Sequence, residues 1–158
     1  MPPRGIFGVL GVAVLAIPSL PAAALAADLL CVNSHPANEP LTIHSLDRGE
    51  TFALEFIHSV SRTPVIDTYR IDGGQIIQTS EIFLAHGAGL PSMAGEVDAT
   101  GWRHEDGKFI LDLDRQIGAM IVRIQPEYKN TLHTADRSIA LASLGHSALR
   151  IAACDSLE

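Results

Sequence analysis

The chain has 158 residues, with 11 Lys and Arg against 18 Asp and Glu and a formal net charge of −7. That length fits one domain. The acidity argues against nucleic acid and anionic lipid as partners, because both would be repelled, and it favours cationic groups or metal ions.

The N-terminus reads as a targeting segment. Arg4 is followed by the apolar run Ile6 to Ile17, then Pro18, Ser19 and Pro21, then the small residues Ala22 to Ala27. A positive start, an apolar core of about 12 residues and an Ala-x-Ala site form a secretory signal pattern. The expected organisation is a signal peptide over residues 1–26, cleaved after Ala26 (Ala27 is the alternative), and one domain over 27–158. Gly5 to Ala27 is also just long enough to stay as an uncleaved anchor. Lipid attachment at Cys31 is disfavoured by Leu29-Leu30 before it. The expected localisation is periplasmic or secreted. Without the segment and its Arg4, 10 basic residues face 18 acidic ones, a net of −8.

From Ala27 onward, short alternating stretches are divided by turn residues. The predicted strands are Leu29–Val32, Leu41–Ile43, Thr51–Val60, Val65–Ile71, Gln75–Leu84, Thr100–His104, Lys108–Leu113, Ile117–Ile124, Asn130–His133 and Ala148–Ala153. Ser138–Leu144 fits strand or helix. Asp72-Gly73-Gly74 reads as a turn, and Asp106-Gly107 is a strong two-residue signal for a hairpin. Regular spacing and poor helix signals predict an all-β domain: a small sandwich or barrel of roughly ten mostly antiparallel strands. The two cysteines, Cys31 and Cys154, are expected to form a disulfide in an oxidising compartment. It would lie between neighbouring first and last strands.

The candidate site begins at His58. Period two puts His58 on the face of Phe52, Leu54 and Phe56, and puts Asp67 on the face of Val65, Tyr69 and Ile71. A hairpin turning at Ser61–Pro64 could set His58 opposite Asp67, at the roughly 5 Å of opposed side chains. Three readings compete: a structural His–Asp pair; a ligand or metal site in which His58, Asp67 and Glu81 converge; and a hydrolase with Ser59 or Ser61 as nucleophile and His58 as base. A loop, His86-Gly87-Ala88-Gly89-Leu90-Pro91, could bring its backbone close to a ligand. The expected ligand-binding set is His58, Ser59, Asp67, Tyr69, Glu81, Gly87, Gly89 and Pro91. No catalytic residue and no cofactor is expected; a metal ion is the alternative ligand. His35, His44, His104, His133 and His146 show no metal-ligand spacing.

Ile57-His58-Ser59-Val60, Thr63-Pro64-Val65 and Gly87-Ala88-Gly89-Leu90-Pro91, in this order, resemble a bacterial family described only as domain of unknown function 1850. Its copies often carry Glu and Lys where this chain has Ser61 and Arg62, and an aromatic residue where it has His86. The resemblance covers the whole domain and implies no known activity. Its genomic company implies an accessory protein of TRAP-type uptake systems with a TAXI-class receptor. The partner would be a transporter subunit or the solute receptor, with the membrane met only through that partner or an uncleaved signal.

Overall fold

The structure is a computed structural model that describes residues 27–85, 90, 91, 95 and 99–155. The segment read as a signal peptide, Gly87 and Gly89 lie outside these residues. Eleven strands are described: β1 Asp28–Ser34, β2 Pro40–Leu46, β3 Thr51–Ile57, β4 Pro64–Asp72, β5 Gln75–Phe83, β6 Gly101–Glu105, β7 Lys108–Gln116, β8 Met120–Arg123, β9 Thr131–His133, β10 Ser138–Ala140 and β11 Ala148–Cys154. They form two antiparallel sheets, one of four strands in the order β2-β1-β11-β8 and one of seven in the order β10-β9-β3-β4-β5-β7-β6. The architecture is therefore an open sandwich, and the barrel alternative falls away. Ser138–Leu144 is split between the two readings: β10 comes first, then a 3-10 turn over Leu141–Leu144.

The turns follow from residue chemistry. Between β4 and β5, Gly73 and Gly74 have φ of 57° and 74°; between β6 and β7, Asp106 and Gly107 have 51° and 73°. Two successive positive φ angles make the type I′ turn, whose twist suits a right-handed pair of strands and which Gly and Asp tolerate best.

The main core lies between the sheets. Leu30, Val32, Leu149 and Ile151 of the small sheet meet Phe52, Leu54, Tyr69, Ile71 and Ile76 of the large one. β1 and β11 pair along their whole length, and Cys31 bonds to Cys154 with a Cα separation of 6.0 Å. A second cluster, Val65, Phe83, Leu111 and Leu113, sits on the same large sheet but, among the described residues, receives none from the small one. Leu90 and Ala99, from the segment between β5 and β6, pack on it with Trp102 and Phe109.

A bulge at Thr79 resets the side-chain parity of β5. The β4–β5 register runs Tyr69↔Gln78, then Thr68↔Ser80, so Thr79 is the extra residue. Strict alternation would send Gln78 and Glu81 to opposite faces. One extra residue restores them to the same face.

Candidate acid pair on the inner face of the large sheet

Across the large sheet one row of paired residues reads Leu132, Leu54, Asp67, Glu81, Leu111, Trp102. Two carboxylates thus stand side by side between leucines, at about 5 Å by ordinary cross-strand geometry. The row crosses the seam between the two apolar clusters, since Leu54 belongs to one and Leu111 to the other.

Asp67 is held by two donors. The Tyr69 hydroxyl donates to its Oδ2 at 3.2 Å, and Gln78 Nε2 donates to its Oδ1 at 3.1 Å. Gln78 is 2% exposed, and its own Oε1 accepts from Arg115. A guanidinium can only donate, so this contact fixes which end of the Gln78 amide faces Asp67. Among the described residues, neither Asp67 nor Glu81 forms an ion pair; the nearby guanidinium is bound to Gln78 instead.

Burial, then the neighbouring Glu81 charge, pushes the Asp67 carboxyl up to about 7, against the smaller opposing pull of Tyr69, Arg115 and Gln78. Burial also raises Glu81, offset in part by Arg115 and Gln78. Tyr69 is raised by its burial and by Asp67, so it remains a proton donor. Near neutral pH Asp67 is therefore only partly ionised. Such a pair can accept a cation or a hydrogen-bond donor, or pass a proton.

An open cleft of 310 Å³ lies beside the pair, lined by Leu54, Phe56 and Tyr69 and by Met120 to Arg123 of β8. Leu54 and Tyr69 are immediate neighbours of Asp67. A hollow of 460 Å³ at the far end of β4 is lined by Arg48, Arg70, Asp28 and Asp72, whose charges offset one another.

Of the sequence-predicted residues, Asp67, Tyr69 and Glu81 converge. Pro91 is buried, and its neighbour Leu90 packs on the cluster that contains Leu111, on the same face of the sheet. His58 does not join them. β3 ends at Ile57, paired with Pro64, and Asp67 stands opposite Leu54. His58 N–H donates to Thr63 O at 2.9 Å, which places His58 four residues, roughly 13 Å of strand, from the level of Asp67. Its ring closes the turn instead: Nδ1 accepts from Ser61 N–H at 3.2 Å and lies 3.1 Å from Ser61 Oγ. Ser59 is exposed in the same turn. The expected His58, Asp67, Glu81 metal set is not assembled, and among the described residues no three His, Cys, Asp or Glu side chains are grouped to hold an ion. Of the hydrolase reading, the Ser61 Oγ–His58 Nδ1 contact is present at 3.1 Å, Ser59 is exposed in the same turn, and Asp67 is remote from both.

Gln78 and Arg115 were not expected at the site. Gln78 has the parity of Ile76 in an apolar strand, and a polar residue on an apolar face was the signal available.

The family described as a domain of unknown function (DUF1850) matches residues 52–141. The chain belongs to this family. The match spans β3 to β10, so Asp67, Tyr69, Gln78, Glu81 and Arg115 all fall within the DUF1850 region. No curated protein and no solved structure matches the chain.

Proposed function

We propose that this chain works outside the cytoplasm as a binding module that takes a cationic group at Asp67 and Glu81, as an accessory to a TRAP-type uptake system of the TAXI class. The observation that carries the binding reading is the pair itself. Two half-buried carboxylates side by side without an ion pair cost stability, and such costs concentrate at functional sites. An ammonium or guanidinium group, from a solute or from a partner side chain, would relieve both the desolvation and the mutual repulsion. The chain's acidity supports a cationic ligand. The export signal and the family's genomic company support the transport setting.

A thermal melt against small primary amines and guanidinium compounds tests the ligand class. A ligand at 100 times its Kd adds roughly 2.7 kcal/mol when it binds only the folded state. Binding should strengthen from pH 5 to pH 8 as Asp67 loses its proton, and should vanish in Asp67→Asn with Glu81→Gln. Stabilisation by Ca²⁺ or Zn²⁺ and by no amine would replace the cationic organic group with a metal ion. For the transport setting, cross-linking in the envelope should recover a transporter subunit or its receptor. Recovery of abundant envelope proteins alone would remove that part of the proposal.

A further inference from the structure

On the opposite face of the large sheet three polar side chains form a chain of hydrogen bonds across three strands. Ser138 Oγ lies 2.7 Å from His133 Nδ1, and His133 Nε2 lies 3.0 Å from Glu55 Oε2. β10 supplies the serine, β9 the histidine and β3 the acid. One tautomer satisfies both contacts. A carboxylate only accepts, so Nε2 carries the proton and Nδ1 is the acceptor for the Ser138 hydroxyl.

The register explains the closeness. Thr134 N donates to Arg137 O and Leu141 N to Asn130 O. The hydrogen-bonded pairs therefore alternate with Ser138↔His133, which is a non-hydrogen-bonded pair with its side chains drawn together. The same alternation turns the N–H groups of Ser138 and Ala140 away from β9. They point along the edge of the sheet, because β10 is its last strand. Beyond Glu55 the outer face becomes apolar, with Pro64, Ile66, Ile82 and Leu84 lining a groove of 190 Å³.

We propose that Ser138 is a nucleophile, His133 its general base and Glu55 the residue that positions and charge-balances the imidazole. The site would act on carboxylic esters whose acyl part is apolar. Ser138 Oγ attacks the ester carbonyl carbon while its proton moves to His133 Nδ1. The developing oxyanion is met by the edge N–H of Ser138. The C–O bond to the alcohol breaks, and the alcohol leaves with the proton from His133. Water, deprotonated by the same ring, then releases the carboxylic acid and restores the serine. This site shares no residue with the Asp67–Glu81 pair, so either can fail alone.

The test uses the folded, disulfide-bonded chain with a fluorophosphonate probe, in which the serine oxygen displaces fluoride from phosphorus, and with p-nitrophenyl esters of increasing acyl length. The expected result is one adduct, mapped to the Ser138 peptide and absent in Ser138→Ala. His133→Ala should slow labelling about 100-fold or more, the usual weight of a general base. Glu55→Gln should slow it less and change the pH profile of labelling, which a merely structural side chain would leave in place. Circular dichroism checks that each variant is folded. No adduct on the wild-type chain, an adduct on another residue, or equal labelling in His133→Ala would each overturn the proposal.

Discussion

The two halves of the seven-stranded sheet carry apolar clusters of different construction. Around β3 and β4 the inner face is roofed by the four-stranded sheet, and Phe52, Leu54, Tyr69 and Ile71 interlock with Leu30, Val32, Leu149 and Ile151. Around β7 and the Phe83 end of β5 the same face is covered by its own aromatics and by residues of the β5–β6 segment. There Phe83 stacks on Phe109 at 5.3 Å, and Trp102 meets Phe83 edge-on at 6.2 Å. Two sheets packed together give one half a lid of paired strands. Ring packing, with Leu90 and Ala99, covers the other. Asp67 and Glu81 sit on the seam, where polar groups can be tolerated because the sheet-on-sheet packing ends there.

The largest way to break this contrast is to loosen the roof. The Cys31–Cys154 disulfide ties the first strand of the small sheet to the last across a sequence separation of 123. In the chain-entropy view, removing so long a closure costs about 4–5 kcal/mol. Cys31→Ala with Cys154→Ala should therefore unfold at much lower denaturant concentration, as read by tryptophan fluorescence. A sharper comparison uses one phenylalanine from each half. Phe52 is 1% exposed and Phe83 0%, so burial alone predicts equal costs of about 3–5 kcal/mol on truncation. The cost also depends on how far the surroundings collapse into the void. Phe83→Ala should fall at the lower end of that range, because Leu90 and Ala99 come from a connecting segment, and Phe52→Ala at the upper end. Equal losses in chemical denaturation would erase the distinction between the lids.

The seam itself has a pH signature. A carboxyl whose folded pKa is raised binds its proton more tightly in the folded than in the unfolded chain. Its stabilising contribution is complete below the ordinary value of 3.8 and is lost as pH rises to about 7. Stability should therefore fall between pH 4 and pH 7, by roughly 2–4 kcal/mol from this group. Asp67→Asn should flatten that slope in melts across the range. An unchanged slope would place its origin elsewhere.

Most of this fold was legible in the sequence, because period-two patterning and paired glycines act locally. Each predicted strand has its counterpart, and the first and last strands pair with a disulfide between them. The site was only partly legible. Asp67 and Glu81 could be suspected, yet their pairing depends on the register across the Gly73–Gly74 turn, and Gln78 joins them only through the Thr79 bulge. Parity alone put His58 on the inner face, but alternation carries no mark of where a strand stops, and β3 stops one residue earlier. The Ser138–His133–Glu55 chain was illegible for another reason: Glu55 is 78 residues from His133 in sequence, and only the topology makes β3 and β9 neighbours.

The smallest expected effect separates the turn from the seam. The His58 ring accepts the Ser61 N–H and contacts the Ser61 hydroxyl, and both partners belong to the β3–β4 connection. Arg62, within the same turn, has a φ of 57°, so the loop depends on local hydrogen bonds to hold a conformation that a non-glycine residue adopts reluctantly. His58→Ala removes one acceptor while the freed N–H can turn to water, so the cost should be about 1 kcal/mol. His58→Asn, whose amide oxygen can accept from Ser61, should recover part of it. Neither variant should alter the binding of amines or the pH slope, because Asp67 is held from β4 and β5 alone. If His58→Ala abolished amine binding while the melt barely moved, the imidazole would have to reach the acid pair after all, and the separation of turn from seam would fail.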